Sequence, residues 1–207
     1  KKQVEVNCPS VDQEKCTLCG ECVRVCQFNA LFHNRKQILV FEKMCHSCEA
    51  CSIVCEPKAL TYLPRTIGVI EEGEKNGLIC RRGILDIGEP MAVPVIRELL
   101  SNLPEGINLL DCSPGTSCNA VTVLHHVQGA VLVTEPSAFG LHDLKMAIAL
   151  VRMFKIPFGV IINKWNEQGG FVEDYLRKED IAILGRVPYQ REAAEVYSRG
   201  GMLTELP

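Results

Sequence analysis

Twelve cysteines stand among 207 residues, and nine of them fall before residue 56. Eight of those nine form two runs of one pattern, C-x2-C-x2-C-x3-C: Cys16, Cys19, Cys22 and Cys26, then Cys45, Cys48, Cys51 and Cys55. Thiolates are soft ligands. Three at this spacing can wrap a loop around one face of an iron–sulfur cubane, with a fourth arriving from further along the chain. The spacing also suits tetrahedral zinc, but zinc knuckles seldom place four cysteines in one such run. Disulfides would need a small, loop-rich secreted fold. The in-register repeat of C-x2-C and the α/β character of the remaining chain point instead to ligation in a reducing compartment. The chemistry expected is therefore two [4Fe–4S] clusters, each able to take and release one electron.

The elements that must position these thiols repeat as well. Moving the sequence from Cys16 to Cys45 lays all four ligand positions onto their counterparts, and also Val25 onto Val54, Ala30 onto Ala59 and Leu31 onto Leu60. Each copy reads as a ligand loop followed by a brief helical turn, with strands at Leu31–Phe41 and Leu60–Leu63 beside them. Units this small bury little apolar surface, and the inorganic groups replace the missing core. The segment from about Val11 to Leu63 resembles bacterial-type two-cluster ferredoxins. In those proteins the fourth cysteine of each run serves the other cluster. The resemblance thus implies Cys16, Cys19, Cys22 and Cys55 on one cluster and Cys45, Cys48, Cys51 and Cys26 on the other. It departs in one detail: Gln27 and Glu56 stand where proline usually follows the fourth cysteine, with Pro57 one place late. Cys8 and Cys80 read as small core or surface residues, and His33, His46, His125 and His126 as bystanders.

Composition excludes several classes. A net charge of −3 and a pI near 6.0 leave no electrostatic footprint for nucleic acid or an anionic membrane. The longest apolar stretch, Met146 to Ile162, is interrupted by Arg152, Lys155 and Pro157, and the first residues carry no signal-peptide core. The expectation is a soluble, cytoplasmic protein.

After Pro64 cysteines become sparse and β and α character alternate. Thr66–Glu71 and Leu78–Ile87 read as strands around a turn at Glu72–Gly77, and Glu89–Leu100 as a helix with Val93, Ile96, Leu99 and Leu100 on one side. Four short apolar runs follow: Ile107–Leu110, Ala130–Val133, Gly159–Ile162 and Ile181–Leu184. Helical stretches near 118–127, 140–154 and 170–179 separate them, the middle one with Leu141, Leu144, Ile148 and Val151 on a face. A last helix, Gln190–Arg199, ends at Gly200-Gly201. Continuous apolar strands alternating with helices predict an α/β domain with a parallel sheet.

Ile107–Leu110 leads into Asp111-Cys112-Ser113-Pro114-Gly115, an apolar strand ending in Asp and then a turn. Together with Gly88-Glu89, Val133-Thr-Glu-Pro-Ser-Ala-Phe-Gly-Leu-His-Asp-Leu-Lys145, Ile161-Ile-Asn-Lys164 and Ile183-Leu-Gly-Arg-Val-Pro188, this resembles the MinD-type, nitrogenase-iron-protein-like P-loop ATPases that carry an inserted ferredoxin domain. The resemblance spans nearly the whole chain. It implies ATP and Mg²⁺ as cofactors, Asp111 in the switch that follows hydrolysis, and Gly115 sensing the γ-phosphate. Asn163 would contact the adenine base, with Pro188 in the loop lining its pocket. Its domains would be a connecting segment over 1–10, the ferredoxin unit over 11–64 and the ATPase part over 65–207.

One departure is large. The family's Gly-Lys-Thr loop has no counterpart, for the chain contains no Gly-Lys dipeptide. The expectation is that a preceding segment or a partner supplies it. Cys118, seven residues after Asp111, stands where such ATPases place a cysteine on a cluster shared across a dimer, with Cys112 or Cys80 as possible companions. The bland alternative is a structural thiol. The leading functional expectation is electron transfer coupled to nucleotide state, with a redox partner protein and a homodimer or a paired homologous ATPase chain. Second comes iron–sulfur cluster assembly or delivery, and third a ferredoxin fused to a non-hydrolysing docking domain.

Overall fold

A computed structural model describes residues 1–166 and 170–203. The chain divides into two compact units, Lys1–Leu109 and Leu110–Pro207. The first is built on an antiparallel sheet of β1 (Lys2–Val11), β4 (Leu60–Lys75) and β5 (Leu78–Leu85), in that order. β1 pairs with β4 along its length, from Lys2 opposite Ile70 to Val11 opposite Leu60. Residues 1–10, read from sequence as a connecting segment, are thus one wall of the cysteine unit. The chain also runs through Pro64 without a break. Proline lacks an N–H, but β5 pairs with β4 only from Gly68 onward, so Pro64 keeps a free edge where no donor is needed.

Asn76 and Gly77, at φ 53° and 77°, close the β4–β5 hairpin in two residues. Asn-Gly accepts left-handed backbone at both positions, so the turn is tighter than the Glu72–Gly77 span read from sequence. α3 (Val93–Leu100) covers the sheet. Its Val95 joins Val4 and the fully buried Ile67 in a small core, while Ile96 and Leu99 are less buried than their spacing suggested. Between β1 and β4 lie the cysteine loops, two helical turns α1 (Glu21–Val25) and α2 (Ala50–Ile53), and the hairpin of β2 (Leu31–His33) with β3 (Ile38–Val40).

The second unit is α/β. Its sheet is all parallel, β6 (Ala130–Thr134), β7 (Phe158–Trp165) and β8 (Ile183–Pro188), connected through α5 (Ala138–Met153) and α6 (Gly170–Lys178). Leu144 and Ile148 of α5 and Val172 and Leu176 of α6 bury against Val160 and Ile162 of β7, the face the sequence periodicity indicated. Ser137 caps α5 by accepting the Gly140 amide at 3.0 Å. α4 (Cys118–Leu124) and α7 (Arg191–Ser198) complete the unit, and Gly200 at φ 75° ends α7 as its sequence predicts.

Ile107–Leu110 is not a strand. Ile107 and Leu109 are 98% and 94% exposed, and among the described residues no backbone pairs with them. An apolar run becomes a strand only beside a partner that takes its amides, and the described residues supply none. Val131, Val133 and Leu184 are also exposed, so one face of the parallel sheet lacks a cover.

Glu173 ties α6 to the ends of β7 and β8. Its carboxylate accepts Trp165 Nε1 at 2.8 Å, Arg186 Nε and Nη2 at 2.8 and 3.0 Å, and Arg177 Nη2 at 3.2 Å. Arg186, then Trp165, hold its carboxyl down from an ordinary 4.5 to about 2. The folded value lies below the unfolded one, so this stabilisation is complete above pH 4.5 and is lost as pH falls from there toward 2. Trp165 is the chain's single tryptophan and reports on the site directly. Acid titration followed by Trp165 fluorescence should show a transition in that window. Glu173→Gln should flatten it and lower the neutral-pH melting temperature by roughly 5 °C. An unchanged acid profile would show that Glu173 does not tie these elements together.

Candidate iron–sulfur sites

The backbone of the two cysteine loops repeats as their sequence does. Leu18 and Ser47, Gly20 and Glu49, and Asn29 and Lys58 are all left-handed, with φ between 51° and 78°. Five of these six carry side chains that disfavour that region, a local cost accepted at both loops. Such turns swing successive amides to one side, where they can meet anions. Asp12 N donates to Ala59 O at 2.7 Å, and its counterpart Phe41 N donates to Ala30 O at 2.8 Å. Ala30 and Ala59 are buried, and their amides donate to Cys26 Sγ at 3.4 Å and Cys55 Sγ at 3.3 Å.

The eight thiols divide between two cavities. One, of about 340 Å³ and partly open to solvent, is lined by Cys16, Cys19, Cys22 and Cys55. The other, of about 370 Å³ and likewise open, is lined by Cys26, Cys45, Cys48 and Cys51. Each cavity therefore takes three thiols from one run and the fourth from the other run. Within the cavities Cys19 and Cys48 are exposed, whereas Cys45 and Cys51 are buried. Burial pushes the Cys22 and Cys51 thiols above their ordinary range, so ligation there must displace a proton held more firmly than usual. No three Cys, His, Asp or Glu groups among the described residues converge on one point that a single ion could occupy. Four soft thiols lining one cavity suit an iron–sulfur cluster.

Several neighbours carry no signal in the cysteine spacing. Tyr62 Oη lies 3.6 Å from Cys51 Sγ, and the Ser47 amide donates to Cys45 Sγ at 3.4 Å. His46 stacks on Phe28 with ring centroids 3.8 Å apart, and both rings line the Cys45 cavity. Ser47 Oγ donates to Asn7 O at 2.6 Å and Asn7 Nδ2 to Glu49 Oε1 at 3.2 Å, fastening this loop to β1. Cys8 of β1 is buried beside Cys45 and Ala30. Burial, then Cys45, pushes its thiol up to about 11, consistent with a packed residue rather than an open ligand.

The residues implied for a nucleotide site all lie in the second unit. Asn163 and Pro188 come together at the carboxyl ends of adjacent parallel strands, with Asn163 opposite Val187 and Trp165 opposite Pro188. That end of a parallel sheet is where ligands bind in open α/β folds. Asp111 and Gly115 (φ 90°) lie in an exposed loop, and no hydrogen bond or ion pair among the described residues joins them to Asn163 or Pro188. Lys164 pairs with Glu135 at 3.0 Å. Cys112 and Cys118 are exposed in this unit, and Cys80 is exposed in the first.

Residues 9–32 match the 4Fe-4S binding domain. This stretch holds the first cysteine run, so the chain carries an iron–sulfur binding segment. An uncharacterized protein of Methanocaldococcus jannaschii is 27% identical over 203 residues, covering 96% of this chain and 70% of its own length. An iron-sulfur cluster carrier protein of the same organism is 28% identical over 65% of this chain and 51% of its length. One from Aquifex aeolicus is 31% identical over 54% and 35% respectively. The chain thus spans only part of the cluster carriers it matches, and its likeness to them is distant.

The division of thiols between cavities has a direct test. After anaerobic reconstitution the chain should hold about eight iron atoms. Cys16→Ala combined with Cys55→Ala should cost no more iron than Cys16→Ala alone, about half. Cys16→Ala combined with Cys26→Ala should lose nearly all. The reverse pattern would return Cys26 to the cavity of its own run.

Proposed function

We propose that the chain joins a resident two-cluster ferredoxin unit to part of a MinD-type nucleotide-binding domain and works in iron–sulfur cluster assembly or delivery. The observation that carries the resident unit is the pair of four-thiol cavities with amides donating to sulfur. The names of the two cluster carriers among the relatives support the working role. When bound, the clusters supply one-electron chemistry at low potential. Cys16, Cys19, Cys22 and Cys55 would hold one, and Cys26, Cys45, Cys48 and Cys51 the other. The buried alanine amides orient Cys26 and Cys55, and the Phe28–His46 stack walls one side of the second site.

Nucleotide enters this proposal through Asn163 and Pro188 on the adenine side and Asp111 and Gly115 on the phosphate side, with Mg²⁺. The exposed apolar run Ile107–Leu110 supports a further strand beside it, the place the family gives its phosphate loop. The cargo is a labile cluster, held at the exposed Cys118 with Cys112 between two chains. Electron transfer to a redox partner is the second reading. It is favoured by the ferredoxin loops themselves, because thiols with buried backbone donors retain their groups.

Lability separates the two. Incubated with an apo-ferredoxin, the loaded protein should pass on a cluster beyond its resident eight iron atoms, about the complement of a two-cluster unit. Cys118→Ser should abolish transfer while leaving those eight in place. Transfer unaffected by Cys118→Ser, or none from the wild type, would return the reading to electron transfer.

A further inference from the structure

The two cavities share a backbone but not their surroundings. Among the described residues, the amides of Ala30 and Ser47 donate to sulfurs of the Cys26, Cys45, Cys48 and Cys51 site, and the Tyr62 hydroxyl lies 3.6 Å from Cys51 Sγ. At the Cys16, Cys19, Cys22 and Cys55 site the Ala59 amide donates to Cys55 Sγ and the Val23 amide bonds to the Cys22 thiol, and no side-chain donor joins them among the described residues. The repeat places His33 at the counterpart of Tyr62, and its buried Nε2 makes no hydrogen bond among the described residues.

A charge adds to the difference. Arg65 of β4 is 13% exposed and pairs through Nη1 with Glu89 Oε2, whose side chain is 4% exposed. Its Nη2 donates to the Cys45 carbonyl at 3.5 Å, and its Nε is buried without a partner. The other carboxylate oxygen of Glu89 is taken by the Met91 amide at 3.2 Å. The guanidinium is therefore the end of this pair that meets Cys45, and the Cys8 and Cys45 thiols act on its charge. Among the described residues the first site has no comparable cation: Arg24 is 75% exposed and pairs with Glu21. Glu42 and Glu49 also face the Cys45 side, but from solvent, where water screens them. A buried positive charge and hydrogen bonds to sulfur both favour the more negative, reduced state and raise the reduction potential.

We propose that Arg65, oriented by Glu89, makes the Cys26/Cys45/Cys48/Cys51 site the higher-potential of the two, so that it is reduced first. Arg65 is a positioning and tuning residue, not a ligand. The inference rests on the two-cluster reading and is independent of whether the protein carries clusters or passes electrons.

The test is an anaerobic redox titration of the loaded chain with dithionite, followed by EPR and iron analysis. Wild type should show two midpoints, and Cys48→Ala should remove the higher. Arg65→Met should lower that midpoint by at least the equivalent of a tenfold change in equilibrium, about 59 mV for one electron, and leave the other unmoved. Glu89→Gln should move it the opposite way, because it removes the balancing carboxylate yet keeps an acceptor for the Met91 amide. Arg65→Lys should restore most of the wild-type value. Opposite shifts from the two partners are a signature that loosened packing cannot produce, and Glu89→Gln covers the case in which Arg65→Met fails to fold. Eight iron atoms with coincident midpoints, or equal shifts of both waves, would overturn the assignment while sparing the two-cluster reading. Four iron atoms in the wild type would overturn both.

Discussion

Everything in the first unit follows from placing eight thiols around two volumes with very little apolar surface to hold them there. Two of its three small cores are made largely of the cysteines and their neighbours, Cys8, Ala30 and Cys45 in one and Leu31, Ile38 and Cys51 in another. Close to the thiols no helix is longer than five residues. The left-handed turns at Leu18, Ser47 and Glu49 cost conformational energy that such a thin core cannot offset alone. Ligation offsets it, since binding free energy at a site absent from the unfolded chain is folding free energy. The β1–β4 ladder is the longest run of backbone pairing in this unit. It meets the loops at one end, through Asp12 to Ala59, and part-way along β1, through Ser47 to Asn7.

That ladder also explains what was legible in the sequence. The cysteine repeat was open to spacing, because loop geometry around a cubane is a local constraint, whereas the crossed grouping of the fourth cysteines came from the resemblance to two-cluster ferredoxins. The apolar face of α5 was equally open, since its period belongs to one helix. The long-range features were not. Nothing in Lys2–Val11 marks a strand whose partner lies beyond residue 59, so it read as a connector. Pro64 read as a boundary because proline's usual meaning is a break, and only the free strand edge makes it harmless. The Ile107–Leu110 run has the composition of a strand but not the neighbour that would make it one. Tyr62 and Arg65 gave no motif at all, for their placement depends on β4 passing behind the Cys45 loop, and Glu89 stood in a motif that pointed elsewhere.

The nucleotide residues illustrate a different limit. Asn163 and Pro188 are joined by sheet register, a property of the fold that any parallel α/β unit would supply. Their side-by-side position supports a ligand at that strand end without specifying which ligand. Fold and function separate at this point. The cysteine cavities do not share the ambiguity, because few chemistries ask for four thiols and converging amides at one place.

Two copies of one unit need not behave alike, and here the divergence has a physical source. The copies agree wherever the cluster geometry demands it: ligand spacing, left-handed turns, buried alanine amides. They differ wherever the rest of the unit touches only one of them. β4 runs past the Cys45 loop and brings Tyr62 and Arg65 with it, while the segment leading into α3 contributes Glu89. The Cys16 loop faces solvent-exposed pairs such as Lys15–Asp12 and Arg24–Glu21. Exposed pairs of that kind exert little net field, whereas the Arg65 guanidinium, largely buried and partly balanced by Glu89, is screened less by water. The sheet that closes the unit is thus also what gives its two cavities unequal surroundings, through residues that are not among the cysteines.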